Sequence, residues 1–171
     1  MSPSWSTEVF DELRRAQVRQ VAYVPDAGLS ELIRLCDAES AMHSITLTTE
    51  QEGVAMLAGA WLGGDRGVLL MQSSGVGNCI NMLSLQQECR IPLLAIVTMR
   101  GEWGEFNPWQ LPMGQATQAA LEVAGVIVQR AASVADIASV VAASARLAFD
   151  SARAVAVLIP QRVLGTKEFR K

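Results

Sequence analysis

Glu50 is the residue of this sequence best placed to do chemistry. It stands where the β-branched run Ile45-Thr46-Leu47-Thr48 gives way to a helix-forming stretch. A carboxylate in the first turn of a helix is stabilised by the helix dipole, and position alone favours that structural reading. The neighbourhood supports another. Gly53-Val54-Ala55-Met56-Leu57-Ala58-Gly59-Ala60 is small and apolar almost throughout. A carboxyl group here meets little water and is suited to exchanging a proton with a bound base.

Two further segments carry polar groups in a suggestive order. Gln72-Ser73-Ser74-Gly75-Val76-Gly77-Asn78 follows an apolar strand pattern and opens a helical one. Glycine-bearing turns of this kind aim backbone N–H groups at a ligand. The spacing is neither GxGxxG nor GxxxxGK[ST], so dinucleotide and P-loop sites are not indicated, and structural glycines explain the turn about as well as a binding loop does. Arg100-Gly101-Glu102-Trp103-Gly104-Glu105-Phe106-Asn107-Pro108-Trp109 holds aromatic and acidic residues that a plain connection does not need. Such a loop reads equally as a pocket lid or a subunit contact. Ser73 and Ser74 lack the GxSxG setting and a His–acid pair, which argues against a serine hydrolase. His43 is the only histidine, so a multi-histidine metal site is excluded, and it reads as a surface or helix-end residue. Cys36, Cys79 and Cys89 lack CxxC spacing and read as buried reduced thiols.

The elements that must position these residues alternate along the chain. Ser6 is expected to cap a helix carrying Val9, Leu13 and Val18 on one face. The predicted strands cover residues 21–24, 45–48, 67–71, 92–98, 126–129 and 154–159. The predicted helices cover 29–37, 51–62, 78–88, 115–124 and 134–151, with a long loop over 100–114. The 51–62 helix is apolar on most faces and is expected to be deeply buried. Strands that are continuous apolar runs between helices imply parallel strands covered on both faces. The fold class is therefore α/β, a three-layer α/β/α sandwich with a mostly parallel sheet of about six strands. Ligands on such sheets bind beyond the C-terminal strand ends. That rule selects the loops 25–28, 48–52 and 72–78, with 100–114 as a fourth.

Composition bounds the rest. The 171 residues suit one domain, residues 1–171 with its core over 6–160, and no linker or low-complexity run divides them. Half the residues are hydrophobic and 18% are charged, with a mean hydropathy of +0.25. So apolar a surface implies an interface, and an oligomer including association of like chains. A net charge of −3 and a pI near 5.2 argue against nucleic acid or anionic membrane as the main partner. No run reaches the roughly 18 apolar residues of a membrane span. The charged residues after Met1-Ser2-Pro3-Ser4-Trp5 do not resemble a signal peptide, so a cytoplasmic location is expected.

Taken together, three segments resemble the pyrimidine-binding domain of thiamine diphosphate (ThDP)-dependent 2-oxo acid decarboxylases. They are residues 49–60, residues 70–78, and Arg100-Gly101-Glu102 with the later Pro112-Met113-Gly114-Gln115-Ala116-Thr117. The resemblance is strongest to sulfopyruvate decarboxylase α subunits and to the N-terminal halves of phosphonopyruvate decarboxylases. In that family a glutamate nine positions before a helix glycine bonds N1′ of the aminopyrimidine, and counting back from Gly59 selects Glu50, not Glu52. The bonded glutamate activates the cofactor for attack on the 2-oxo carbon. The resemblance also implies that Glu50, Gln72, Ser73, Ser74 and Asn78 surround the cofactor. It places Pro25, Asp26, Ala27, Gly28, Arg100 and Glu102 on the substrate side, where an inward-pointing Asp26 would repel an anionic substrate. The bulk of Trp103, Phe106 and Trp109 departs from the family's pattern.

The Gly-Asp-Gly motif with a downstream Asn, by which the family holds the diphosphate through Mg²⁺, is absent from the sequence. The resemblance thus implies a separate β subunit that carries the diphosphate- and Mg²⁺-binding domain, no metal site on this chain, and no activity of the chain alone. The implied function is the α subunit of a decarboxylase of a small-molecule 2-oxo acid. Two readings of other classes stand beside it. One is a non-catalytic structural or regulatory subunit of the same fold. The other is an unrelated nucleotide-binding α/β module, which lacks its glycine fingerprint here.

Overall fold

The computed structural model describes residues 4–165. Helix α1 (Trp5–Arg15) leads into strand β1 (Val18–Tyr23), and α2 (Ser30–Ala38) into β2 (His43–Thr46). Then follow α3 (Glu50–Leu62), β3 (Arg66–Gln72), α4 (Ser73–Cys79), α5 (Ser84–Cys89) and β4 (Leu93–Thr98). The chain closes with α6 (Leu111–Val123), β5 (Ile127–Arg130), α7 (Ile137–Ser151), β6 (Ala154–Ile159) and the short α8 (Gln161–Leu164). All six strands are parallel, in the order β2-β1-β3-β4-β6-β5. The expected α/β/α sandwich with about six strands is what forms.

Strand alternation sorts the core into two layers. Val68 and Leu70 of β3, Leu94 and Ile96 of β4, and Val155 and Val157 of β6 face one way, against Val9 and Leu13 of α1, Leu32 of α2 and Val141 of α7. Leu69, Met71, Ala95, Val97, Ala156 and Leu158 face the other, against Val54 and Leu57 of α3, Val76 of α4 and Leu121 of α6. Both faces of the central strands are dry, which is why these strands read as unbroken apolar runs. Helix α3 lies tight on the sheet at Gly53, where a side chain would come within 2.6 Å of Leu69 Cδ1 and 2.7 Å of Leu47 Cδ1.

Several expectations are corrected. Helix α1 is capped by Ser4, whose hydroxyl accepts from Thr7 N at 3.3 Å, while Ser6 is buried inside the helix. Val18 belongs to β1, because the chain turns through Gln17 at φ 59° after α1 ends. The helix expected over 78–88 is two helices, and α4 starts directly at Ser73. Its glycines were read as turn residues, yet both lie in the helix. A Cβ at Gly75 would meet Glu50 and one at Gly77 would crowd Met113 Sδ at 3.2 Å. Helix α6 begins at Leu111 with Pro112 in its first turn, a place where proline's missing N–H costs nothing. The expected loop over 100–114 is therefore shorter and includes a 3-10 turn at Pro108–Gln110. Helix α3 is buried on one face only, through Glu50, Gly53, Val54, Leu57 and Ala58. Its other face, with Ala55, Gly59 and Leu62, stays exposed on the single chain despite its apolar character. Cys36 and Cys79 are buried, but Cys89 at the end of α5 is exposed. His43 is an exposed residue of the edge strand β2.

Candidate active site at the C-terminal edge of the sheet

The two acidic residues in the first turn of α3 do different work. Glu52 stays exposed and its Oε2 accepts from Thr48 N at 3.0 Å, the usual service of an acidic side chain at a helix start. Glu50 turns inward instead, to 7% exposure. Its Oε2 accepts from Asn78 Nδ2 at 2.8 Å. Its Oε1 lies over Gly75, so closely that a Cβ there would be 2.2 Å away. No described residue donates a hydrogen bond to Oε1, so one oxygen of a nearly buried carboxylate keeps its acceptor capacity. Cys79, one turn beyond Gly75, has its thiol pushed up to about 12 by burial and then by the Glu50 charge.

Asp26 gathers the ends of three adjacent strands. Gln72 at the end of β3 lies beside Thr98 at the end of β4, and Asp26 follows β1. Asp26 Oδ1 accepts from Gln72 Nε2 at 2.8 Å, and Oδ2 accepts from Thr98 Oγ1 at 2.7 Å and Gly28 N at 3.0 Å. Because Gln72 donates to Asp26, its carbonyl oxygen faces Ser74, whose hydroxyl donates to it at 3.1 Å. Ser73 does not share in this line. It is fully buried, and its hydroxyl ties α4 to the end of β4 by accepting from Arg100 N at 3.0 Å and donating to Arg100 O at 3.3 Å.

Asp26, Ala27, Gly28, Thr98 and Arg100 line a cavity of about 230 Å³, with Gln161 on its far side. The Arg100 guanidinium is already engaged there. It donates through Nε (2.6 Å) and a terminal nitrogen (2.5 Å) to the two oxygens of Glu105, whose side chain is 1% exposed. Glu105 also accepts from Gly101 N, Asn107 N and Gln161 Nε2. The Arg100 contact holds its carboxyl down at about 2, and Glu105, followed by the charge of Asp26, holds Arg100 above its ordinary value. Neither Pro25 nor Glu102 lines this cavity. Glu102 was expected on the substrate side, but its carboxylate accepts from Gln161 N at 2.9 Å and from Arg130.

Thus the structure brings Glu50 to Asn78 beneath α4, and Gln72 and Ser74 to Asp26, Gly28 and Arg100 at the strand ends. Thr98, Glu105 and Gln161 were not among the expected site residues. Thr98 ends a strand and the strand-end rule could have selected it. Glu105 stands out only as one of the acidic residues of an unusual loop, because the loop's fold is needed to turn Arg100, Gly101 and Asn107 onto it. Gln161 carried no signal, since its partners Glu102, Trp103 and Glu105 are distant in sequence. Among the described residues, no group of three His, Cys, Asp or Glu side chains is placed to hold a metal ion, and no helix is long and apolar enough to cross a membrane.

Fold and site together define a parallel α/β/α sandwich that buries a glutamate at the strand ends, against a glycine of the next helix. Residues 5–121 match the family model described as thiamine pyrophosphate enzyme, N-terminal TPP binding domain. The chain belongs to that family. It is 33% identical over 155 residues to the sulfopyruvate decarboxylase subunit alpha of Methanothermobacter thermautotrophicus, covering 90% of this chain and 94% of the relative. It is 38% identical over 118 residues to the same subunit of Methanococcus maripaludis, covering 68% and 71%. The phosphonopyruvate decarboxylase of Streptomyces viridochromogenes is 43% identical over 102 residues, 58% of this chain and 26% of that longer protein. In fold, the chain superposes with a TM-score of 0.78 on part of the 2-oxoglutarate:ferredoxin oxidoreductase of Magnetococcus marinus, at 17% identity, covering 95% of this chain and 29% of the other. The chain is thus a subunit of a ThDP-enzyme type, related to decarboxylases.

Proposed function

We propose that the chain is the α subunit of a ThDP-dependent decarboxylase of a 2-oxo acid, sulfopyruvate- or phosphonopyruvate-like, and that Glu50 is its cofactor-activating carboxylate. The observation that carries this reading is the state of Glu50: nearly buried, fixed on one oxygen by Asn78, and without a partner on the other. This arrangement fits the aminopyrimidine: with Glu50 protonated, its free oxygen would donate to the ring nitrogen, and with the proton on the ring the same oxygen would accept. The diphosphate and its Mg²⁺ have no matching residues here, and a separate β subunit would hold them; the absence of Gly-Asp-Gly supports that division.

Bound cofactor supplies a nucleophilic carbon and an electron sink for the carbanion left when CO₂ departs. Glu50 holds and moves the proton at N1′, and a site short of water favours that exchange. Asn78 fixes the plane of the carboxyl group, and Gly75 leaves the space it needs. Gln72 and Ser74 line the cofactor side, and Ser73 keeps α4 docked on β4. Asp26, Ala27, Gly28 and Arg100 face the substrate. Asp26 need not repel an anion, because three donors already surround its carboxylate.

The test is reconstitution with a β subunit bearing Gly-Asp-Gly, in the presence of ThDP and Mg²⁺. CO₂ release from sulfopyruvate or phosphonopyruvate is the expected result. Failure of the pair to turn over any of a panel of 2-oxo acids would sink the decarboxylase reading. Full activity of Glu50→Gln would remove the assigned role of Glu50 while leaving the enzyme class intact.

A further inference from the structure

The C-terminal edge of the sheet holds a second, larger cavity, of about 660 Å³, beyond the ends of β6 and β5. Its lining includes Glu102, Trp103, Arg130, Val134, Pro160 and Arg162. It shares no residue with the cavity between Asp26 and Arg100. Three strand steps separate β3, which ends at Gln72, from β5, which ends at Arg130; that is about 14 Å across the sheet.

The charges there do not balance. Two guanidinium groups, of Arg130 and Arg162, face one carboxylate, Glu102. Arg130 is paired with Glu102, and that carboxylate also accepts from Gln161 N. Arg162 has no carboxylate partner among the described residues and lies over the Trp103 ring at 4.8 Å. The backbone N–H groups of Ala132 and Ser133 are consumed by Asp136, so the donors left to a ligand are the Arg162 guanidinium and what Arg130 does not give to Glu102. Trp103, Val134, Pro160 and Val163 supply apolar walls. A bare oxyanion would fill little of such a volume, which lies in the range of organic-ligand sites.

We propose that this cavity binds an organic anion, its phosphate or carboxylate end bridging Arg130 and Arg162 and its flat body resting on the Trp103–Val134 wall. Carboxylates and phosphates are the anions that guanidinium forks match bidentately. The ligand competes with Glu102 for Arg130, and Glu102 lies in the loop that carries Arg100 and Glu105. Occupancy therefore acts on the substrate-side loop from outside the cofactor site.

The full-length chain titrated calorimetrically with adenosine 5′-monophosphate, indole-3-acetate and adenosine tests this. At least one of the two anions is expected to bind, and the stronger one identifies phosphate or carboxylate as the charged end, while uncharged adenosine binds about tenfold more weakly or not at all. Arg162→Gln and Arg130→Gln are each expected to weaken anion binding about tenfold, and Asn78→Ala, within α4 on the other side of the edge, leaves anion binding unchanged. Binding of neither anion, equal binding of adenosine, undiminished binding by Arg162→Gln, or loss of binding in Asn78→Ala would each overturn the proposal. None of these outcomes depends on decarboxylase activity.

Discussion

Two acidic residues, Glu50 and Glu105, are both nearly buried on the same edge of the sheet, and their surroundings are opposite. Glu105 accepts from five donors: two nitrogens of Arg100, Gly101 N, Asn107 N and Gln161 Nε2. Glu50 accepts from one, Asn78. A saturated carboxylate is a structural clasp, because every acceptor site is already filled from within the fold. A carboxylate buried with an acceptor to spare is stable only at a cost, and is where a ligand's donor has most to offer. Burial therefore does not distinguish the two; hydrogen-bond occupancy does.

That contrast can be broken most sharply at Glu50. In the reconstituted enzyme, Glu50→Gln is expected to lower kcat by about 10²–10⁴-fold, with the thermal midpoint of the chain hardly changed. Gly75→Ala should act through the same residue, since its methyl group would occupy the place of the Glu50 carboxylate. A loss of about 10²-fold in kcat is expected, and a variant with normal kcat would show that the close approach is unimportant. Glu105→Gln should do the reverse. Loss of the clasp is expected to cost about 2 kcal/mol in denaturant unfolding, because the Arg100 guanidinium is left without its counter-charge.

Asn78→Ala sharpens the comparison on a finer scale. It removes the single donor that orients Glu50 and is expected to reduce kcat about tenfold, with partial return in Asn78→Gln. The smallest effect is on acid stability. The Glu105 carboxyl is held at about 2, below its ordinary 4.5. Its contribution is therefore fully present above about pH 4.5, and fades as pH falls towards about 2. Thermal melts across that interval should show a steeper acid loss in the native chain than in Glu105→Gln.

Much of this architecture was legible in the residues. Strands β3, β4 and β6 stand out because both faces are buried and their central positions are apolar. The exit loops follow from the direction of parallel strands. Errors cluster where a glycine or a polar cap has two uses. Gly75 and Gly77 carry the composition of a turn, but they are needed inside α4 because Glu50 and Met113 press on the helix surface. Ser4 and Ser6 are equally good caps by type, and the fold takes Ser4 as the cap and buries Ser6 within the helix. Helix α3 reads as apolar all round, yet its contacts with β3, β1 and α4 decide which face is covered.

The sequence by itself determined the α/β class, the order of the elements and the position of a carboxylate ahead of an apolar helix, because these depend on periodicity and neighbours along the chain. It left Glu50 and Glu52 chemically alike. Family spacing counted back from Gly59 picks out Glu50, and tertiary structure supplies the physical difference, by closing α4 over the first turn of α3 so that one side chain met Asn78 and Gly75 and the other met solvent. Hydrogen-bond saturation is likewise invisible along the chain: the folded loop turns Arg100, Gly101 and Asn107 onto Glu105 and the chain just past β6 adds Gln161, whereas Glu50 has one donor, Asn78.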